Sequence, residues 1–168
     1  MSEKRNLLGC SLESLEIFFN NLQEPKFRAK QLLKWIHQKG VLDFNLMTDF
    51  NKDLRQKLLS VASIEPPKIY QEHISEEGTI KYLIQLKSGS MIEMVVIPEK
   101  NRRTLCVSSQ AGCALQCTFC ATGAQGFDQN LESHEIIGQL WLANFYKNNS
   151  KPITNVVFMG MGEPLLNY

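Results

Sequence analysis

Three cysteines within one short stretch constrain this 168-residue chain more than any other feature of its sequence. Cys113, Cys117 and Cys120 have the spacing C-x3-C-x2-C, so their thiols can converge on one point. Thiolates select zinc, copper(I) or iron–sulfur clusters. A closed structural zinc site takes four protein ligands, usually as two pairs, and the sequence has no second pair. A four-iron cluster held by three cysteines leaves one iron open to an outside ligand, so the spacing favours an open cluster on a loop.

An apolar, β-branched run at residues 153–159 leads into a second motif, Gly160-Met-Gly162-Glu163-Pro164. Glycines at the carboxyl end of a buried strand let the backbone approach a ligand closely. Glu163 adds a carboxylate that can hold an ammonium group. The open iron and this carboxylate are therefore candidate contacts for a substrate or cofactor.

Both stretches resemble one family of enzymes. Leu105-Cys106-Val-Ser-Ser-Gln110, Gly112-Cys113-Ala-Leu and Met159-Gly-Met-Gly-Glu-Pro-Leu-Leu-Asn167 are similar to motifs of the RlmN family. Members of that family are radical S-adenosylmethionine (SAM) enzymes that methylate C2 of adenine in RNA. The resemblance implies that Cys113, Cys117 and Cys120 hold a 4Fe-4S cluster. It also implies that Gly162 and Glu163 bind S-adenosylmethionine, whose amino and carboxylate groups chelate the open iron.

The resemblance further implies an α/β fold with three parts. We expect an N-terminal helical RNA-binding accessory domain over residues 1–65 and a β-strand linker carrying Glu93 over residues 66–100. Residues 101–168 would begin the radical SAM core, as the first β/α units of a partial, truncated TIM-like barrel. Family members continue beyond this point and carry a second reactive cysteine near the C-terminus, whereas no cysteine follows Cys120 here. We therefore expect an N-terminal fragment that is not active alone.

Composition argues against several other classes of protein. The chain is 43% hydrophobic, which is enough for a core, and its net charge is only +1. No apolar run approaches the about 20 residues of a membrane-spanning helix, and the N-terminus lacks a signal-peptide pattern. Five cysteines, three of them clustered, do not resemble a secreted disulfide framework. The sequence therefore predicts a cytoplasmic protein without a membrane segment.

Residues 11–62 predict a helical module. Ser11 is placed to cap a first helix, Pro25 to begin a second helix that ends near Gly40, and residues 51–61 form a third. Lysines and arginines surround Trp35 in the second helix. The residues alone leave two interpretations open: a solvated basic face with Trp35 in the core, or a surface that contacts phosphates. The resemblance favours the RNA-contacting surface.

Three strands are predicted over residues 68–73, 79–86 and 90–97. In the third strand Glu93 shares a face with Met91, Val95 and Ile97, so it interrupts an apolar row. A carboxylate buried there would have a raised pKa, which suits a general base. The alternative is an edge strand whose Glu93 simply reaches water. The resemblance implies the general base, because the family carries its proton-accepting glutamate at this position.

Residues 104–108 predict the first barrel strand, Ser133 is placed to cap a helix, and residues 153–159 form the next strand. This β–α–β unit puts the candidate ligands at carboxyl ends of strands, where α/β barrels place their sites. From the residues alone Cys106 is a small buried hydrophobe. The resemblance implies instead a resolving cysteine that forms a transient disulfide. His134 is expected at the surface rather than in a metal site.

The resemblance implies a radical mechanism on an adenosine of 23S ribosomal RNA and of certain transfer RNAs. One S-adenosylmethionine methylates the C-terminal cysteine. A second, cleaved reductively at the cluster, yields a radical that activates this methyl group for addition to adenine C2. Glu93 then removes the C2 proton, and Cys106 resolves the protein–RNA adduct. The implied partners are 23S rRNA, tRNA and an electron donor such as flavodoxin, and a monomer is expected.

Three alternatives remain open. A Cfr-like enzyme would methylate C8, although Gly112-Cys113-Ala-Leu and Glu163-Pro-Leu-Leu-Asn167 match the RlmN form. Another radical SAM enzyme would keep the cluster but need no role for Cys106 or Glu93. A zinc-bound RNA-binding module without catalysis would use Cys106 or His134 as the fourth ligand.

Overall fold

The computed structural model describes residues 4–115, 117–148 and 151–167. The chain falls into two units, Met1–Glu65 and Pro66–Tyr168. None of the helices in the described residues is long and apolar enough to cross a membrane.

The first unit is helical, as the sequence predicts. Its elements are β1 (Arg5–Asn6), α1 (Leu12–Asn21), α2 (Phe27–His37), a 3-10 turn (Phe44–Leu46), α3 (Lys52–Val61) and β2 (Ala62–Ser63). The hydroxyl of Ser11 accepts the Ser14 N–H at 3.2 Å, which confirms the predicted cap of α1. Asn51 caps α3 in the same way, through the Leu54 N–H at 2.8 Å. These caps satisfy amides that the helices themselves leave without partners.

The second unit combines one main sheet with a small hairpin and two helices. Its elements are β3 (Lys68–Ile74), β4 (Ile80–Gln85), β5 (Met91–Pro98), β6 (Arg103–Cys106), β7 (Gln110–Gly112), α4 (Ala121–Ala124), β8 (Phe127–Asn130), α5 (Ser133–Phe145), 3-10 turns at Tyr146–Asn148 and Pro164–Leu166, and β9 (Asn155–Val157). The main sheet has the order β3-β4-β5-β6-β9. Its first four strands pair antiparallel, and β6 pairs parallel with β9. The predicted β–α–β unit is therefore present as β6, α5 and β9.

Because β5 pairs antiparallel with β6, the main sheet contains strands from both sides of the boundary predicted at residue 100. The segment predicted over 66–100 and the start of the segment predicted over 101–168 thus share one sheet. β9 lies at the edge of this sheet, and Phe158 and Met159, which follow it, are 49% and 79% exposed. The β–α–β unit beyond residue 100 is consequently built onto the preceding hairpins.

One face of the main sheet is covered by α5. Ile92, Met94 and Val96 of β5 form a buried row that packs in one cluster with Leu105 of β6 and Leu142 of α5. The alternate residues of β5 lie on the opposite face and are only partly buried. The sheet therefore has a face against the helix and a second, more open face.

The predicted cap of α5 by Ser133 is wrong by one residue. Glu132 is the N-cap, and the Glu132 N–H donates to the Glu135 carboxylate at 2.9 Å. The Glu132 side chain in turn accepts the N–H of Glu135. This reciprocal capping box satisfies two amides at once, whereas a single serine would satisfy one.

Candidate cluster and cofactor site

Parallel pairing of β6 and β9 brings the chain out of both strands at the same edge of the sheet. Beyond the strands, the Val107 N–H donates to the Val157 carbonyl at 2.9 Å and the Gly160 N–H to the Val107 carbonyl at 3.1 Å. The Ser109 N–H then donates to the Met161 carbonyl at 2.8 Å. The two segments named by the sequence motifs therefore run side by side past the carboxyl ends of the strands, which is the usual place for a site in α/β folds.

The three clustered cysteines lie on a loop that is closed at its base. β7 and β8 pair antiparallel before and after this loop, and the Cys113 N–H donates to the Gly126 carbonyl at 3.0 Å. Gly112 has a φ of +72°, and a Cβ at this position would overlap the carbonyl oxygen of Gly126. Only glycine fits so close an approach of two backbones. We call residues 113–126 the cysteine loop.

All three thiols of the cysteine loop are free. Cys113 is buried, whereas Cys117 and Cys120 are partly exposed. Cys120 precedes the short helix α4, and backbone hydrogen bonds from Gly123 and then Thr122 lower the pKa of its thiol. Amides that converge on a sulfur favour its thiolate, which is the form that binds metals.

The residues fit a four-iron cluster by their donor chemistry. Among the described residues, no group of three or more His, Cys, Asp or Glu side chains is close enough to hold a single metal ion. A four-iron cluster makes a different demand, because each cysteine binds a different iron atom. Three free thiols on one closed loop match that demand, and they leave the fourth iron without a protein ligand from this loop.

The second motif packs directly against the start of the cysteine loop. Gly162 has a φ of +96°, and a Cβ there would lie 2.5 Å from the Cβ of Gln110. The Glu163 N–H donates to Oε1 of Gln110 at 3.0 Å. One oxygen of the Glu163 carboxylate accepts the Leu165 N–H, also at 3.0 Å, and so caps the turn at Pro164–Leu166. Glycine at 162 therefore allows the Gly-Glu segment to lie on Gln110.

Asn167 fixes the end of this segment. Its Nδ2 donates to the carbonyls of Ser109 and Leu131, both at 2.8 Å. Polar side chains at 110, 130 and 167 thus join the Gly-Glu segment and the turn after it to the β7–β8 hairpin that carries the cysteine loop. Sequence reasoning did not assign any of them a role; Gln110 and Asn167 stand within the motifs that carry the family resemblance, which was the signal that pointed to them.

Glu93 is not buried, so desolvation does not supply a reason for it to act as a base. Its side chain is 42% exposed, and its carboxylate lies 2.6 Å from the ammonium of Lys81 on the neighbouring strand. The Ser108 hydroxyl donates to the Glu93 backbone carbonyl at 2.6 Å, and it accepts the Met161 N–H at 2.9 Å. The backbone at Glu93 is therefore tied to both segments that leave β6 and β9.

Cys106 lies on the same open face of the main sheet as Glu93. Cys106 pairs with Val95 of β5, and Val95 is two residues from Glu93, so all three side chains point to one side. Burial raises the pKa of the Cys106 thiol, and a backbone hydrogen bond from Met159 offsets this only partly. The structure thus places the two predicted catalytic residues on the face that α5 does not cover.

His134 is partly buried, and its Nδ1 lies 3.2 Å from the Glu132 carboxylate. This contact joins His134 to the N-cap residue of α5, the helix on which His134 lies.

The fold of the chain matches part of the fold of one class of enzyme. A crystal structure of a radical SAM methyltransferase from Sphaerobacter thermophilus aligns with a TM-score of 0.88 and 36% sequence identity. The alignment covers 98% of this chain and 49% of that one. The chain therefore has the fold of part of a radical SAM methyltransferase.

Sequence comparison narrows this class to a family. Residues 5–64 match the ribosomal RNA large subunit methyltransferase N-terminal domain of RlmN. Two proteins named dual-specificity RNA methyltransferase RlmN are 51% identical (Marinobacter nauticus) and 54% identical (Pseudomonas putida strain F1). The alignments cover 99% and 98% of this chain but 46% and 45% of those proteins. The chain belongs to the RlmN family, matches the N-terminal part of its members, and spans about half the length of these relatives.

Proposed function

We propose that this chain forms part of a radical SAM enzyme that methylates C2 of an adenosine in 23S rRNA and in certain tRNAs. The relatives named dual-specificity RNA methyltransferases support the reaction class and the RNA substrates. The 36% identity to a radical SAM methyltransferase, over nearly the whole chain, supports the cofactor chemistry and a partial barrel that this chain begins.

One observation carries the proposal more than any other. The segments that lead to the cysteine loop and to the Gly-Glu motif leave the parallel strands β6 and β9 at the same end, and backbone hydrogen bonds join residues 107–110 to residues 157–161. Glu93 and Cys106 lie on the open face beside the same strands. In a barrel, the helices cover the outside, so this open face corresponds to the interior where a substrate would bind.

The roles that we propose for the residues are those that the family resemblance implies. Cys113, Cys117 and Cys120 hold the 4Fe-4S cluster, while Gly162 and Glu163 bind the amino group of S-adenosylmethionine. When bound, these groups supply radical chemistry, which functionalises a carbon that is too poor a nucleophile for ordinary methyl transfer. Glycine at 162 lets the backbone of this segment pack directly against Gln110, so that the Glu163 N–H reaches the amide oxygen of Gln110.

Glu93 and Cys106 act after a methylene group links the protein to adenine. Glu93 accepts the proton from C2, and the adjacent Lys81 ammonium compensates the charge of its carboxylate before the transfer. Cys106 then attacks the sulfur of the linking cysteine. A transient disulfide forms as the sulfur–methylene bond breaks, and the electron pair of that bond passes to the methylene carbon, which takes up a proton and leaves as the methyl group of the adenine. Because burial raises the pKa of Cys106, it is a thiol at neutral pH and must lose a proton before it attacks.

The N-terminal unit is proposed to contact RNA. Lys26, Lys30 and Lys34 recur every four residues of the α2 segment and are exposed, whereas Trp35 lies in the core. Trp35 is therefore structural, and its burial leaves the exposed basic face as the part of α2 that we propose to contact phosphates. We also propose that the protein is cytoplasmic and monomeric and that it receives electrons from a donor such as flavodoxin.

The experiment that tests the class is anaerobic reconstitution of the 168-residue chain with iron and sulfide, followed by EPR of the reduced protein. We expect a four-iron signal that changes when S-adenosylmethionine is added. A chain that takes up zinc and no iron would overturn the proposal in favour of the zinc-bound module.

A second experiment tests which carbon of the adenine, C2 or C8, is methylated. Residues 1–168, fused to the remaining part of the Pseudomonas putida relative, should convert adenosine in 23S rRNA to 2-methyladenosine, identified by chromatography of the digested RNA. Recovery of 8-methyladenosine would instead establish the Cfr-like specificity.

A further inference from the structure

Gln110 joins the two halves of the candidate site through a single side chain. It is only 1% exposed and stands at the start of β7, three residues before the first cysteine of the cysteine loop. Its Oε1 accepts the Glu163 N–H at 3.0 Å and, with a longer contact of 3.4 Å, the Ala114 N–H. Ala114 lies between Cys113 and Cys117. One oxygen atom therefore contacts both the cysteine loop and the Gly-Glu segment.

The rest of Gln110 is held equally firmly. Its Nε2 donates to Oδ1 of Asn130 at 2.8 Å, and its backbone N–H donates to the Met161 carbonyl at 3.2 Å. The backbone of Gly162 packs against the Cβ and Cγ of Gln110, because a Cβ added at residue 162 would lie within 2.7 Å of both atoms. A side chain with its backbone, its methylenes and its amide all engaged cannot move without moving its neighbours.

We propose that Gln110 is a positioning residue that sets the distance between the cluster and Glu163, and so couples cofactor binding to the geometry of the cysteine loop. This inference rests on the proposed function. The amino group of the bound cofactor would have to contact the open iron and the Gly-Glu segment at the same time. A binding site of this kind works only when its residues are held to within about 0.5 Å of the productive geometry. Gln110 connects the cysteine loop, which would hold the cluster, to the Gly-Glu segment through its contacts with Ala114 and with Glu163, which lies 53 residues further along the chain than Gln110.

A matched control exists in Gln139. It is also fully buried, its Oε1 accepts the Ser108 N–H at 2.9 Å, and its Nε2 donates to the Ser108 carbonyl at 2.9 Å. Within the described residues, the hydrogen bonds of Gln139 tie Ser108 to α5 and go to none of residues 113–120 or 160–163. Replacing either glutamine by methionine removes a buried amide of similar size, so the two variants should lose similar stability.

The test compares the parent chain with the variants Gln110→Met, Gln110→Glu and Gln139→Met after anaerobic reconstitution. Iron content, the EPR change on adding S-adenosylmethionine, and the Kd of S-adenosylmethionine by equilibrium dialysis are measured for each. We expect Gln110→Met to load iron as the parent does, but with a Kd raised about tenfold and a weaker EPR change, because two amides lose their acceptor. Gln139→Met should keep the parent's Kd and EPR change.

The conservative variant separates hydrogen bonding from packing. Gln110→Glu keeps an oxygen acceptor for both amides, so its Kd should lie closer to that of the parent than that of Gln110→Met does. If Gln110→Met does not fold, as judged by circular dichroism, Gln110→Asn replaces it, because that side chain is one methylene too short to reach both amides.

Each result decides a different question. An unchanged Kd and EPR response in Gln110→Met, or equal losses in Gln139→Met, would overturn the positioning role while leaving the proposed function intact. A Glu variant that binds as weakly as the Met variant would also overturn it. A parent chain that loads no iron, or whose EPR signal ignores S-adenosylmethionine, would overturn the proposed function itself, and the positioning role with it.

Discussion

Two glycines of the second unit provide an internally controlled test of how tightly the cofactor segment is packed. Gly162 and Gly89 share a φ of +96°, a conformation that residues with a Cβ rarely adopt. Their surroundings differ, because a Cβ at 162 would lie 2.5 Å from that of Gln110, whereas nothing lies within 4 Å of one at 89. Gly89→Ala therefore carries backbone strain alone, and Gly162→Ala carries the same strain together with a steric overlap.

The expected magnitudes follow from these two contributions. Left-handed backbone strain costs about 1–2 kcal/mol for a residue with a Cβ. Overpacking in a well-filled region adds about 1–3 kcal/mol. We expect the free energy of unfolding to fall by about 1–2 kcal/mol in Gly89→Ala and by about 2–5 kcal/mol in Gly162→Ala.

Urea unfolding of the second unit measures the difference. Trp141 reports on this unit when Trp35 of the first unit is replaced by phenylalanine in every variant, the parent included. With a slope of about 1–3 kcal/mol per molar urea, the two midpoints should differ by at least about 0.3 M. Equal midpoints would refute the reasoning, because they would show that Gln110 moves away from the added methyl group without lowering the free energy of unfolding.

Three further changes test separate parts of the chain. In the fusion with the Pseudomonas putida relative, Glu93→Gln should accumulate a covalent protein–RNA adduct, detected on denaturing gels. The control Glu99→Gln removes an exposed carboxylate paired with Arg102 and should not accumulate the adduct. Normal product release by Glu93→Gln would exclude Glu93 as the proton acceptor. In cluster-free protein, the pH of half-maximal alkylation should be lower for Cys120 than for Cys106, because a lowered pKa enlarges the thiolate fraction at a given pH and a raised pKa reduces it; the reverse order would contradict the assigned environments. Asn51→Ala should destabilise the first unit by about 1 kcal/mol in urea unfolding followed through Trp35, and an unchanged midpoint would mean that the cap bond contributes nothing.

Local signals in the sequence were sufficient to predict the helices and most strands. The cap at Ser11 involves an amide only three residues away, so the residues that make it can be read together. The periodicity of β5 likewise assigned Ile92, Met94 and Val96 to the buried face. The start of α5 was misassigned because Ser133 and Glu132 both carry suitable acceptors, and only the reciprocal bond with Glu135 decides between them.

Contacts between distant parts of the chain were beyond this kind of reasoning. The ion pair of Glu93 depends on Lys81, which belongs to another strand, and the register between the two strands could not be derived from the pattern alone. The bridge from Gln110 to Glu163 spans 53 residues. Family resemblance named the residues of the candidate site, but the partners that hold them became visible only with the backbone in place.

Closure of the cysteine loop at Gly112 and Gly126 makes it a transplantable unit. Both ends of the loop meet at one rung of the β7–β8 ladder, and Gln110, which contacts Ala114 of the loop, belongs to the same hairpin. The entropy of closing a loop rises slowly with its length, so a synthetic hairpin of residues 110–130 already carries the most important restraint. We therefore expect such a peptide to assemble iron and sulfide outside the protein, and the same stretch to be a suitable graft for an antiparallel hairpin whose turn is exposed.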